Sequence, residues 1–109
     1  KYSKINLHFN YYKERKMKAP IVLNMKSSRG NKVPNQFIIW MGGVNHIQFF
    51  QSYQTIIGKR DHLGKITLDK NKWDYSVTTS RYRNQWLGMN TKQVKDAILN
   101  GSIALEDLN

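Results

Sequence analysis

The stretch Gln36-Phe37-Ile38-Ile39-Trp40-Met41-Gly42-Gly43-Val44-Asn45-His46-Ile47-Gln48-Phe49-Phe50-Gln51 decides the fold. Two runs rich in β-branched and aromatic residues flank a glycine pair, and neither contains Asp, Glu, Lys or Arg. Such side chains fit a pleated surface, and two glycines tolerate the positive φ angles of a tight primed turn. Residues 36–51 therefore read as a β-hairpin. The charge-free zone spans residues 33–58, which predicts strands covered on both faces and the centre of the core.

Working outward, residues 55–69 form a second predicted hairpin. Asp61-His62-Leu63-Gly64 supplies its turn, with Gly64 at the left-handed position, and Ile66 and Leu68 alternate after it. Upstream, residues 21–25 read as a strand, followed by the basic loop Ser27-Ser28-Arg29-Gly30-Asn31-Lys32 that Pro34 closes. Residues 2–9 alternate Ile5, Leu7 and Phe9 with polar side chains, the period of a half-buried strand. The polar segment 10–18 that follows reads as a loop or a short helix, ended by Pro20.

After Trp73-Asp74-Tyr75 the period becomes helical. Tyr82 and Trp86 share one helix face, Thr78 or Thr79 serves as the cap, and Gly88 stops the helix. Asn90 and Gln93 form a capping pair for a second helix that carries Val94, Ile98 and Leu99 and stops at Asn100-Gly101. Ile103, Leu105 and Leu108 suggest a last short strand. Strands followed by helices predict an α+β domain spanning residues 1–109, an antiparallel sheet with hairpins at 36–51 and 55–69 and two short C-terminal helices.

The chain carries 18 Lys and Arg against 7 Asp and Glu, a net charge of +11 over 109 residues. These charges flank the uncharged centre. Like charges repel in a compact state, so the imbalance points to a polyanionic partner, nucleic acid first and an anionic membrane surface second. At 39% hydrophobic and 12% aromatic the sequence can build a core, which argues against intrinsic disorder. Its longest apolar run, residues 37–41, is far shorter than the roughly 20 residues that cross a bilayer. With no secretory pattern and no cysteine, secretion is not indicated and a reducing compartment is expected.

Candidate contacts concentrate in Ser80-Arg81-Tyr82-Arg83-Asn84. With Tyr82 and Trp86 facing the core, Arg81, Asn84 and Gln85 project away from it with Arg83 at the flank, and together with Ser80 they are suited to phosphates and base edges, although an ordinary solvated helix face has the same pattern. Arg29 and Lys32, with the Gly30 amide between them, can wrap a phosphate, and no Walker ending follows. Lys13, Arg15 and Lys16 lie beside Tyr11 and Tyr12, mixing cations with stacking surfaces as single-strand binders do. The two helices also admit a helix-turn-helix reading with Lys92, Gln93, Lys95 and Asp96 on the second helix.

Catalytic signals are thin. Seven scattered acids offer no convergent metal cage, and Asp69-Lys70-Asn71-Lys72-Trp73-Asp74 lacks the glycine and terminal glutamate of a calcium loop. His8, His46 and His62 are separated, with no nucleophile motif beside them. The reading is therefore a non-enzyme without cofactor or metal.

Gly64-Lys65-Ile66-Thr67-Leu68-Asp69, Trp73-Asp74-Tyr75-Ser76, Thr78-Thr79, Tyr82 and Trp86-Leu87-Gly88 resemble a domain of small uncharacterised phage and plasmid proteins of Gram-positive bacteria. The resemblance covers about residues 50–109, including the Asp107-Leu108-Asn109 ending, and leaves the N-terminal half outside. It implies a mobile-element origin and a cytoplasmic setting inside a bacterial host cell, and attaches no activity. The leading expectation is a basic mobile-element protein that binds DNA or RNA without catalysis. One alternative is a phage-encoded inhibitor of a host protein or nucleoprotein complex, such as an anti-CRISPR or replication inhibitor. Another is a metal-independent RNase toxin.

Overall fold

The alternating runs fold as strands of one six-stranded sheet in a computed structural model that describes residues 19–109. The strands are β1 (Ile21–Lys26), β2 (Lys32–Met41), β3 (Ile47–Ser52), β4 (Thr55–Arg60), β5 (Ile66–Asp69) and β6 (Ile103–Glu106). Helices α1 (Val77–Leu87) and α2 (Thr91–Leu99) intervene between β5 and β6. Strand order follows sequence order. β1 to β5 form an antiparallel meander, and β6 lies parallel to β5 with Ile66 opposite Ile103. A parallel neighbour needs a long crossover, which the two helices provide. The fold is α+β, with both expected hairpins and both helices present.

Three local expectations are corrected. The turn between β2 and β3 is not a two-residue primed turn at Gly42-Gly43, because β2 ends at Met41 and β3 begins at Ile47, and Gly42 alone takes a positive φ of 88°. Pro34 does not close the preceding loop. It lies inside β2 at the register irregularity between Asn24 and Lys26, where a missing N–H is tolerated. The uncharged strands are also not covered on both faces by the described residues. Phe37, Ile39 and Phe49 lie on the face away from Trp86, where Val22 is 58% and Met41 45% exposed.

On the helical face, Phe50, Ile57, Leu68 and Val94 are fully buried. Phe50 pairs with Gly58 and Gly58 with Leu68 across three strands. Register slips between Phe50 and Gln51, leaving Ile57 as the extra residue of a β-bulge that turns its side chain into the core. Trp86 of α1 packs onto this row, its ring 5.8 Å from that of Phe50. Its indole N–H donates to Gln48 Oε1 at 2.9 Å, and the Arg60 guanidinium lies 4.9 Å above the ring. Gly58 makes room for that ring, since a Cβ there would lie 2.8 Å from Trp86 Cζ3 and 2.7 Å from Leu68 Cδ2.

The C-terminal residues are fastened through Asp69, which is 1% exposed. Its carboxylate accepts from the Leu108 N–H at 2.7 Å and the Asn109 amide at 3.1 Å. Asn109 also exchanges two side-chain hydrogen bonds with the backbone of Ile56, as a neighbouring strand residue would.

Candidate nucleic-acid interface

The helix carrying the candidate contacts begins one residue pair earlier than Thr78 or Thr79 would set it. Ser76 is the N-cap, with φ −149° and its hydroxyl accepting from the Thr79 N–H at 3.1 Å. Thr79 instead faces the sheet, fully buried, with its hydroxyl 2.8 Å from that of Ser52. Gly88 ends α1 at φ 68°, and Asn90 and Gln93 form the expected capping box on α2.

Arg83 has no exposed surface, so it is not available as a phosphate contact. A buried guanidinium must find acceptors for its donors, and this one binds the Trp73 carbonyl at 2.6 Å, Asp74 Oδ1 at 3.1 Å and Asn84 Oδ1 at 2.8 Å. It also donates to the Thr91 hydroxyl at 3.2 Å and lies 5.2 Å from the Trp73 ring. The residue thus joins the β5–α1 connection, α1 and the start of α2. Its partners are equally committed. The Asn84 carboxamide oxygen takes two Arg83 donors and its nitrogen gives to Thr91, while the Ser80 hydroxyl donates to Asp74 Oδ1 at 2.7 Å. Of the four candidates on this helix, Arg81 alone is exposed and without a hydrogen-bond or ion-pair partner among the described residues.

Asp74 sits above this buried cation. The Ser80 hydrogen bond, reinforced by Arg83, holds its carboxyl below the usual carboxylate range against the opposing effect of partial burial. It opens into a cleft of about 630 Å³ shared by Tyr75, Ser76, Ser80 and Arg81. Tyr75 is 43% exposed, and the Lys72 ammonium stands 5.2 Å from its ring. The positive charge of Lys95 acts on the same carboxylate from α2. The cleft therefore has a negative floor and a positive rim.

The basic loop between β1 and β2 is tied to the same helix. Gln85, one turn after Arg81, donates its side-chain amide to the Lys26 carbonyl at 2.8 Å. Ser27 shapes the loop by accepting from the Arg29 and Asn31 N–H groups, both at 3.3 Å, and Gly30 takes the φ of 83° that the turn requires. Arg29 and Lys32 are exposed and form no ion pair among the described residues. The Gln85–Lys26 bond thus ties α1, which carries Arg81, to the loop that carries Arg29 and Lys32. Lys13, Arg15 and Lys16 lie outside the described residues.

On α2, Lys92 pairs with Asp96 at 3.1 Å and Gln93 is consumed by the capping box, which leaves Lys95 as the free cation of that helix among the described residues. Among the described residues no group of three or more His, Asp or Glu side chains forms a metal cage. No described helix is long and apolar enough to cross a membrane. Asp74, which the sequence offers only within a calcium-loop lookalike, joins the candidate site through its contacts with Ser80 and Arg83. Its signal was present in the spacing of Asp74, Ser80 and Arg83, which brings an acid before the N-cap against hydroxyl and guanidinium one and two turns into the helix.

Residues 17–101 match a family of unknown function (DUF8033), and the chain belongs to it. The match begins well upstream of residue 50, so it takes in the β1–β2 hairpin as well as the helices. No curated protein and no solved structure matches the chain.

Proposed function

We propose that this member of a family without assigned function is a small basic protein of a phage or plasmid that binds nucleic acid, without catalysis, inside the bacterial host cell. The observation that carries this reading is the Gln85 to Lys26 hydrogen bond, which ties α1, bearing the exposed Arg81 one turn before Gln85, to the start of the basic loop bearing Arg29 and Lys32. Three exposed cations without acidic partners among the described residues thus lie on the two segments that this bond ties together, on a chain of net charge +11. Phosphates supply the complementary charge, and Coulomb attraction acts before any detailed fit is made. Arg83, Ser80 and Asn84 support the surface from beneath by fixing α1 against the β5–α1 connection.

Fluorescence anisotropy of labelled single strands and duplexes at low salt tests the reading. Saturable binding is expected, weakened when Arg81, Arg29 and Lys32 are replaced together by Ala. No binding to either form at low salt would overturn it.

A further inference from the structure

We propose that the cleft above Asp74 receives one unstacked nucleobase of a single strand, stacked on Tyr75 and read through the free oxygen of Asp74, with guanine preferred. This deepens the nucleic-acid reading and rests on it.

The chemistry of the cleft selects the occupant. Asp74 Oδ1 is occupied by Ser80 and Arg83, whereas Oδ2 accepts from no described residue, and the side chain is 38% exposed toward a cleft of about 630 Å³. A fixed carboxylate oxygen calls for an N–H donor. A bare phosphate is therefore disfavoured on the floor of the cleft. A simple ammonium is disfavoured as well, because Arg81 lines the cleft, Lys72 flanks Tyr75, and Lys95 and the buried Arg83 bear on the same carboxylate. A ligand that is neutral and donor-bearing at one end and anionic at the other satisfies both demands, and a nucleotide unit has that polarity.

The Lys72 ammonium stands over one face of the exposed Tyr75 ring, and the opposite face is the one for a base to lie on. Arg81 stands at the rim where the attached phosphate would pass. Among the bases, guanine presents two adjacent, nearly parallel donors, N1–H and N2–H, that can share the free oxygen in a bifurcated hydrogen bond, whereas adenine, cytosine and thymine or uracil each bring a single donor group to such a point. In a duplex those guanine donors are consumed by pairing, and the base is held in the stack. The geometry thus points to single strands.

The test uses the full chain and fluorescein-labelled hexanucleotides: oligothymidine, the same strand with two central guanines, their RNA counterparts, and a hairpin in which those guanines are paired. The guanine strand should bind about tenfold more tightly than oligothymidine or oligouridine, and the paired guanines should give no such gain. Asp74→Asn keeps an oxygen for Ser80 and Arg83 and should remove the guanine preference, bringing the guanine strand to the affinity of oligothymidine for the same variant. Tyr75→Ala, on the surface, should weaken every single strand about fivefold or more with the preference retained. If Asp74→Asn does not fold, the Tyr75→Ala result and the single-strand comparison still decide. Equal affinity for guanine and thymine strands, or an unaltered Tyr75→Ala variant, would overturn the base site while leaving salt-dependent nucleic-acid binding intact. Absence of binding to any strand would overturn both.

Discussion

Arg83 Nη1 lies 3.1 Å from Asp74 Oδ1, a cation with no exposed surface held beneath a carboxylate that is 38% exposed. The pair separates two roles that sequence alone merges in Arg81 and Arg83: one arginine builds the helix junction, and the other faces the solvent. Arg83→Met should therefore destabilise the protein by about 2–4 kcal/mol, because it leaves the Trp73 carbonyl and the Asn84 side-chain oxygen without their donor, while Asp74 keeps the Ser80 hydrogen bond. Arg81→Ala should change stability by less than about 0.5 kcal/mol. Urea unfolding of the two variants checks the contrast, and equal losses would contradict it.

Asp69 and Asp74 give the stability a defined acid limb. Burial alone would raise the Asp69 carboxyl, but hydrogen bonds from Leu108, Asn109 and Asn71 hold it below its usual value, as Ser80 and Arg83 do for Asp74. A folded value below the unfolded value of about 3.9 contributes stability that is complete above that pH and disappears as pH falls through the folded value. The urea midpoint should stay level from neutral pH down to about 5 and drop below about 4, and Asp69→Asn should flatten that drop. A wild-type midpoint unchanged at pH 3 would contradict the assignment.

Gly58 faces Trp86 and Leu68 at distances no Cβ can share, and the Trp86 ring is fixed by its bond to Gln48. Gly58→Ala should cost about 1–3 kcal/mol through overpacking, measured as a lower melting temperature. A neutral substitution would show that the α1–sheet contact is looser than described.

Gln36 is fully buried on β2, and neither its amide oxygen nor its nitrogen has a hydrogen-bond partner among the described residues. Desolvating such a group without recompense is unfavourable, so Gln36→Met, similar in shape and apolar, should raise stability by about 1 kcal/mol. A melting temperature that falls would reveal a partner for that amide.

Much of the architecture was legible because it rests on local chemistry. The Asp61 turn, the Gly88 stop and the Asn90–Gln93 box each depend on residues within four positions of one another, and all three are formed. The α1 cap was misplaced by two or three residues because Ser76, Thr78 and Thr79 all carry capping hydroxyls, and only the burial of Thr79 against Ser52 decides among them. Charge-free strands suggested cover on both faces, yet half-buried Phe37 and Phe49 show that an uncharged face is not necessarily a covered one among the described elements. At the site, the sequence located α1 and could not sort its cations. Whether an arginine meets solvent or an acid depends on Asp74, nine positions away and outside the helix, and on how the connection from β5 folds back over α1.

The most direct measurement is the slope of log binding constant against log salt concentration for wild type, Arg81→Ala and the Arg29→Ala, Lys32→Ala pair on one oligonucleotide. Each phosphate contact contributes about one released counterion, so the slope should be steeply negative for wild type, shallower by about 1 for Arg81→Ala and by about 2 for the pair. Identical slopes for all three proteins, or no binding at about 50 mM salt, would contradict the cationic surface as the site of nucleic-acid contact.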